Sequence, residues 1–297
     1  MSKVDMASSR KFIPDAPLHP YKGARAALAT MHGKELVVGP ALGFHLGMEI
    51  VVPPLIDTDT FGTFTGEIPR AGSMHDAALA KARLGMRLTG INVGIASEGS
   101  FGPHPAIPFI AAARELLVLI DKERNIIITE YLLTERTNFD HIIAPDDNLQ
   151  PFLERIGFPS HAVIIRTNRA QGPIHKGINN TDHLASLIKE VSQASEDGKT
   201  RIETDMRAHL NPTRMEGIAQ LAEKFARRLA TLCPACGTPG FGIVKSESGL
   251  PCAECGAETE LVKTLVSGCA SCQFTGNKPR SDGLRFATAA QCPQCNP

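Results

Sequence analysis

The pattern of apolar and polar positions divides the first 230 residues into alternating strands and helices. Short apolar runs predict strands at 24–31, 47–54, 91–96, 115–121, 126–133, 161–166 and 201–206. Apolar side chains recur at helical spacing in 73–88, 184–194 and 212–229, and a further helix is predicted over 33–46, where Pro40 could interrupt it. This alternation predicts an α/β fold, with a mixed or mainly parallel sheet and flanking helices.

The cysteines form a separate pattern in the last part of the chain. None occurs before position 233, and the eight then form four Cys-x-x-Cys pairs: Cys233/Cys236, Cys252/Cys255, Cys269/Cys272 and Cys292/Cys295. Two such pairs can surround one metal ion, so this spacing predicts two structural zinc sites of four cysteines each. A disulfide framework is the alternative, but it is typical of short secreted chains, and redox Cys-x-x-Cys motifs usually occur singly.

Which pairs share a metal depends on the segments between them. Residues 240–252 predict a strand, a turn at 246–249 and a return that brings Cys252 toward Cys236. Residues 258–266 contain no Gly or Pro and predict a single strand about 30 Å long between the second and third pairs. This pattern favours pairing of first with second and third with fourth. Pairing of first with third and second with fourth is the alternative.

Together these patterns predict three parts of the chain. Residues 1–22 form a flexible N-terminal segment, residues 23–230 an α/β domain, and residues 231–297 a small zinc-ribbon-like β domain. The first segment contains three prolines and lacks the apolar stretch of a signal peptide. No other run approaches the roughly twenty apolar residues that span a bilayer. We therefore expect a cytoplasmic protein without a membrane partner.

Charge adds little to this picture. Lys+Arg and Asp+Glu both total 31, so the formal net charge is +0. The tail is balanced too, because residues 233–297 contain five basic and five acidic side chains. Neither balance gives the positive field that nucleic-acid backbones attract. The sequence therefore carries no strong nucleic-acid signal, and a tail that binds a protein or covers the site of the α/β domain is more consistent with it.

The stretch "DTDTFGTFTGEIPR" (57–70) lies between a predicted strand and a predicted helix, where α/β sheets gather ligands. In an extended segment, Asp57 and Asp59 would project to the same side, as oxygen ligands of Mg²⁺ do. Glu67 and Arg70 lie at the entrance to the helix. An ordinary turn-rich loop with solvated charges is the alternative interpretation.

Three more polar clusters follow predicted strands: "ATMHGKE" (29–35), "ASEGSFGPHP" (96–105) and "ETDMRAHLNPTR" (203–214). Each residue has an ordinary alternative role: Lys34 as a solvated helix residue, Glu98 as a cap, and Arg207 as the partner of a nearby carboxylate. Four clusters at strand ends are nevertheless hard to attribute to chance, so we expect them to converge on one ligand site.

The motifs "FGTFTGEIPRAGS", "ASEGSFGPHP", "ETDMRAHLNPTRM" and the terminal "CNP" resemble a bacterial family classed as a domain of unknown function, which ends in a zinc-binding tail. That resemblance implies no activity. Residues 24 to about 100 are more loosely similar to inosine/xanthosine triphosphate pyrophosphatases and their septum-inhibitor-like relatives. The similarity rests on "ATMHGKE", "TGEIPRAGSMHDAALAKAR" and "GIASEGSFG". The chain departs from that group at His32, where the group has Asn, and has no counterpart of its base-recognition segment.

The second resemblance implies a Mg²⁺-dependent hydrolase of nucleoside triphosphates or related phosphate esters, acting mainly through positioning and charge neutralisation. It therefore implies a small phosphorylated ligand and Mg²⁺ as a second cofactor beside zinc. A non-catalytic adaptor that binds a protein or nucleotide through its zinc ribbon is the alternative. The candidate catalytic residues are Asp57, Asp59, Glu67 and Glu98, the candidate phosphate-binding residues are Thr30, Lys34, Arg70 and Arg207, and Lys81 is a second-rank candidate.

Overall fold

The computed structural model describes residues 18–63, 65–169 and 171–297, so residues 1–17 of the predicted flexible segment lie outside the described residues. The strands are β1 (Arg25–Ala29), β2 (Glu49–Val51), β3 (Val93–Pro103), β4 (Ala111–Asp121), β5 (Ile126–Thr134), β6 (Asp140–Ile143), β7 (Val163–Thr167), β8 (His175–Ile178), β9 (Thr200–Thr204), β10 (Gly242–Ser248), β11 (Val262–Gly268) and β12 (Thr275–Pro279). The α-helices are α1 (Glu35–Leu46), α2 (Met74–Thr89), α3 (Gln150–Ile156), α4 (Thr181–Ala194) and α5 (Pro212–Ala230).

The first sheet has the strand order β2-β1-β3-β4-β5. β1 is parallel to both β2 and β3, while β3, β4 and β5 are antiparallel neighbours. A sheet of this kind with helices on its faces confirms the predicted α/β class in its mixed form. The division into domains at residues 22/23 and 230/231 stays a prediction.

Helices cover both faces of this sheet, because its strands alternate two apolar sets of side chains. On one face, Leu28 and Ile95 pack in a core with α1 and α5. On the other face, Ala29 and Ala96 pack in a second core with α2. Successive residues of β3 therefore face different helices. Ser97 and Glu98, which are neighbours on β3, accordingly project to opposite faces of the sheet.

A second sheet, of order β6-β9-β7-β8, is antiparallel throughout. The apolar residues of α4 and α3 pack on it in a separate core that includes Val163, Ile165 and Ile202. β10, β11 and β12 form a third antiparallel sheet that carries the cysteines near its ends. Within the described ranges, no helix combines the length and apolar character needed to cross a membrane.

The predicted helix signals match the observed helix starts. Ser73 caps α2 in a capping box with Asp76, and the Asn211 side chain accepts a hydrogen bond from the Arg214 N–H at the start of α5. Pro40 lies inside α1, but the helix continues past it, because Val38 and Leu42 hold the helix against the sheet. β3 is longer than predicted and runs seven residues past Ala96, to Pro103.

The close approach of α2 to β3 gives a testable prediction at Gly94. A Cβ there would lie 2.5 Å from Met86 Cγ and 2.7 Å from the Ala82 carbonyl oxygen. We expect Gly94→Ala to destabilise the protein by about 1–3 kcal/mol, the usual cost of overpacking. Gly102→Ala is the matched control on the same strand, since its Cβ would meet nothing within 4 Å. Equal denaturation midpoints for the two variants would contradict the close packing.

Candidate functional site

A cavity of about 340 Å³ lies between the first and second sheets. Its wall comes from the turn after β1, the 57–70 loop, β3, β7, β8 and the segment that leads into α5. Six cationic side chains and three carboxylates line it: Lys34, Arg70, Lys81, Lys176, Arg207 and Arg214, with Asp59, Glu98 and Asp205. Two carboxylates behind the wall, Glu67 and Glu115, pair with Lys176 and Arg214, so the cations exceed the carboxylates by one, a balance that suits a small anionic ligand.

Glu98 lies within β3 rather than at the strand end that was predicted, because β3 continues to Pro103. Its side chain shares the α2 face of the sheet with Ala96 and forms a buried ion pair with Lys81 of that helix. Arg70 Nη2 lies 3.4 Å from the same carboxylate and donates to the Gly99 carbonyl at 2.9 Å. The carboxylate that was expected to bind Mg²⁺ is therefore already paired with two cationic side chains.

The other three candidate carboxylates differ in position. The expected extended segment is not observed, because Asp59 begins a 3₁₀ helix, Asp59–Phe61, and its N–H donates to Asp57 Oδ1 at 2.9 Å. Asp57 and Glu67 lie outside the cavity wall. Glu67 forms an ion pair with Lys176 of β8 and accepts from Thr65 Oγ1 at 2.6 Å. Asp59 does line the cavity, and in the described part of the chain its carboxylate has no hydrogen-bond or ion-pair partner.

Thr30 and Lys34 lie in the cavity wall at the turn between β1 and α1. Thr30 is 5% exposed, and its hydroxyl oxygen has no hydrogen-bond partner among the residues described. Lys34 Nζ donates to Ser97 Oγ at 2.8 Å. Burial, and next the Arg214 guanidinium, lower the pKa of Lys34 to about 8. Of the cations in the wall, Lys34 alone forms no ion pair with a described carboxylate.

Two arginines on the opposite wall are held by buried carboxylates. Asp205, which is fully buried, accepts from the Arg207 side chain at 2.6–3.1 Å and from the Gly177 N–H at 3.1 Å. Arg214 donates to Glu115 at 2.7 Å and 3.3 Å. These ion pairs fix the direction of each guanidinium before any ligand enters, which lowers the ordering cost of binding.

Two histidines stack beside this wall. The ring centroids of His32 and His209 lie 5.0 Å apart, with planes 25° from parallel. Burial, followed by the charge of Lys34, lowers the pKa of His32 to about 3, and burial also lowers the pKa of His209. Both rings are therefore neutral at pH 7, so they add an uncharged polar surface rather than further positive charge.

The structure brings seven of the candidate residues to one cavity, while their catalytic and phosphate-binding roles stay predictions: Thr30, Lys34, Asp59, Arg70, Lys81, Glu98 and Arg207. Sequence reasoning did not select Lys176, Arg214, Glu115 or Ser97. Glu115 carried a signal, since it is a charged residue in a run that otherwise reads as a buried strand. The sequence around Lys176 carried no such signal, because Lys176 reaches the cavity only through the packing of the second sheet against the first.

The cysteines form two tetrads, each of which could hold a metal ion: Cys233, Cys236, Cys269 and Cys272, and Cys252, Cys255, Cys292 and Cys295. The favoured pairing of neighbouring Cys-x-x-Cys motifs is therefore wrong, and the interleaved alternative is observed. β10 runs through most of the predicted turn, and β11 starts only at Val262. These two strands pair with Gly242 opposite Gly268, which returns Cys269 to the level of Cys236.

A hydrogen-bonded contact joins the other two motifs. The Ala287 N–H donates to the Pro251 carbonyl at 2.8 Å, and the Ala253 N–H donates to the Ala287 carbonyl at 2.9 Å. This contact brings the segment before Cys292 beside Cys252. Four sulfurs around a metal at about 2.3 Å lie roughly 3.8 Å apart in a tetrahedron. Two cross-motif Sγ–Sγ distances in each tetrad are close to this value: 3.7 and 3.7 Å in one tetrad, and 3.9 and 3.6 Å in the other.

A family model described as Domain of unknown function (DUF6671) matches residues 81–297. This match covers more than half of the chain, which therefore belongs to that family, as the first resemblance predicted. No curated protein and no solved structure matches the chain. The matched range includes the tail, Lys81, Glu98 and Arg207, while Thr30, Lys34 and the 57–70 loop precede it.

Proposed function

We propose that this DUF6671 protein binds a small phosphorylated molecule in the cavity and hydrolyses a bond to one of its phosphates. The observation that carries the proposal is the buried Thr30 hydroxyl without a partner among the described residues, in the same wall as Lys34, which forms no ion pair with a described carboxylate. A buried hydroxyl is costly to leave unpaired, and the Lys34 ammonium, which donates to Ser97, has further N–H donors to offer. A phosphate oxygen would accept from both.

The cavity volume supports a small ligand, since about 340 Å³ lies at the lower end of the usual range for ligand pockets. Nucleoside triphosphates are the first class to test, because of the similarity of residues 24 to about 100 to inosine/xanthosine triphosphate pyrophosphatases. Lys34, Arg70 and Arg207 would neutralise phosphate oxygens in this proposal. Arg70 would do so while Glu98 holds it in place.

Mg²⁺ fits a narrower role than the sequence implied. Asp59 is the cavity carboxylate without an ion pair in the described ranges, so Asp59 would hold a magnesium ion that enters with a polyphosphate. When bound, the ion would neutralise phosphate charge and activate the leaving group. Glu98 then acts as an anchor for Lys81 and Arg70, and Glu67 as an anchor for Lys176.

We also propose that both tetrads hold zinc in a structural role. Four-thiolate tetrahedral sites of this size are typical of structural zinc, and all four positions are taken by cysteine, which leaves no open position for substrate. The zinc ions would then maintain the fold of the tail and would not act on substrate. The contribution of the tail to ligand binding is tested by comparing the full chain before and after metal removal.

The proposal predicts a pH-dependent affinity that depends on Lys34. Calorimetric titration with ATP and ITP, with and without Mg²⁺, should give saturable binding at pH 7.5. Lys34 carries a charge below its pKa of about 8 and loses it above, so affinity should fall as pH rises toward 9.5. Lys34→Gln should bind about tenfold to a hundredfold more weakly at pH 7.5, the range for a charge-assisted hydrogen bond, and lack this fall.

Lys189→Gln, at an exposed position on α4, is the control and should titrate like the wild type. The same proteins are then assayed for release of pyrophosphate or phosphate from standard and deaminated nucleoside triphosphates. Absence of both binding and turnover across this panel would refute the proposal. Binding of a protein by the tail, without ligand binding or turnover in the cavity, would favour the adaptor alternative.

A further inference from the structure

Ser97 and Lys34 form a hydroxyl–amine pair in the wall of the cavity. Ser97 follows Ala96 on β3, and its side chain points to the face opposite α2, because strand residues alternate between faces. Lys34 immediately precedes α1 on that same face. The Nζ–Oγ distance is 2.8 Å, and Ser97 is 4% exposed. The alternation of side chains along β3 and the position of Lys34 at the start of α1 therefore bring the pair together before any ligand binds.

We propose that Ser97 is the nucleophile of this site and Lys34 its general base, acting on a phosphate ester or phosphate anhydride. This inference rests on the proposed function and deepens it. The chemistry is that of a serine–lysine dyad, in which a lysine amine replaces the histidine of a triad. Nucleophile and base lie within the hydrogen-bond reach that proton transfer requires.

A lysine can act as a base only if it is neutral for part of the time. Lys34 meets this condition because burial and the charge of Arg214 lower its pKa to about 8. It also has no described carboxylate within ion-pair distance that would hold its proton. Among the described hydroxyl groups of the wall, that of Ser97 is hydrogen-bonded to a lysine amine. The Thr65 hydroxyl instead donates to Glu67.

The reaction balances in two steps. Ser97 Oγ attacks phosphorus while Lys34 Nζ takes the hydroxyl proton; the Oγ–P bond forms, and the bond from phosphorus to the bridging oxygen breaks, its electron pair leaving on that oxygen. Water then attacks the phosphoserine; one of its protons stays on the released phosphate, and the other passes to the solvent. The Oγ–P bond breaks, and Lys34 returns its proton to Ser97. The Thr30 hydroxyl is placed in the same wall to donate to a phosphate oxygen.

A fluorophosphonate reagent tests the nucleophile without knowledge of the substrate. Attack by Oγ releases fluoride and leaves a stable phosphonyl-serine, which peptide mass spectrometry locates. We expect labelling of Ser97 in the full-length protein, with a rate that rises with pH to a plateau above about 8. Ser97→Ala should lose the label. Ser100→Ala, a second serine of the same strand and cavity, should keep it.

Lys34→Arg separates the charge of Lys34 from its action as a base. Arginine stays protonated, so it should preserve binding of ATP but lower the labelling rate by about a hundredfold or more, the usual contribution of a general base. A circular-dichroism melting curve checks that each variant is folded. Full labelling of Lys34→Arg would overturn the base role, and labelling at another residue would overturn the nucleophile.

The two proposals fail in different ways. If ATP binds and Ser97 stays unlabelled, the dyad is wrong, and the phosphate site stands. If Ser97 is labelled and no phosphorylated ligand binds or turns over, the substrate class is wrong, and with it both the proposed function and the phosphate chemistry assigned to the dyad. Burst release of product with accumulation of phosphoserine at Ser97 would support both.

Discussion

Replacing Cys236 and Cys252 together by serine is expected to remove both metal ions and to unfold the tail. Replacing Cys236 and Cys269 together is expected to remove one. The reason is the interleaved arrangement, in which Cys236 and Cys269 belong to one tetrad and Cys252 to the other. Neighbour pairing would give the reverse result, since Cys236 and Cys252 would then share a metal.

The expected effect is large because structural zinc commonly supplies about 10–16 kcal/mol of apparent binding free energy in small domains. Elemental analysis measures the metal, and limited proteolysis measures the folding of residues 233–297. Ser271→Ala, which changes a non-cysteine position between Cys269 and Cys272, is the control and should keep two metals. Wild-type protein with fewer than one zinc per chain, or with iron in its place, would falsify the zinc assignment.

Glu98→Gln is expected to destabilise the protein by about 3–5 kcal/mol, the usual cost of removing one partner of a buried ion pair. Lys81 and Glu98 have side chains that are 10% and 9% exposed, and Arg70 lies against the same carboxylate. The amide keeps the shape of the carboxylate but leaves Lys81 as a buried cation without its counter-ion. Urea denaturation monitored by circular dichroism measures the loss.

An exposed ion pair provides the matched control. Glu216→Gln removes the partner of Arg136, and both side chains are more than half exposed, so the change should cost less than about 1 kcal/mol. Combining Glu98→Gln with Lys81→Met should recover part of the lost stability, because the unpaired charge is then gone. If Glu98→Gln is as stable as Glu216→Gln, the pair contributes little, and the carboxylate is available to a metal after all.

The local signals of the sequence were sufficient for most elements of the first sheet and its helices. Ser73 and Asn211 marked helix starts through their own hydrogen bonds with the backbone, which depend on neighbours in the sequence alone. The convergence of Thr30, Lys34, Asp59 and Arg207 was also predictable, since loops at the ends of strands tend to meet.

What sequence reasoning missed depends on contacts between distant segments. Glu98 was placed at a strand end because Gly99 and Gly102 resemble a turn, but pairing with β4 keeps residues 97–103 extended. The tail was misread for the same kind of reason: the β10–β11 pairing, rather than the 240–252 stretch, decides which cysteines meet. Periodicity reports which face a residue occupies, and it does not report which strand lies beside it.

Interleaving of the tetrads also sets an order for their assembly during synthesis. The first tetrad spans residues 233–272 and the second spans residues 252–295, so Cys252 and Cys255 lie inside the loop that a metal bound at the first tetrad would close. As the chain emerges from its N-terminal side, the first tetrad is complete once Cys272 has left the ribosome. Cys252 and Cys255 then remain free thiols until Cys295 has also left the ribosome. A nascent chain short of zinc would therefore carry its unpaired, oxidisable thiols at the second site.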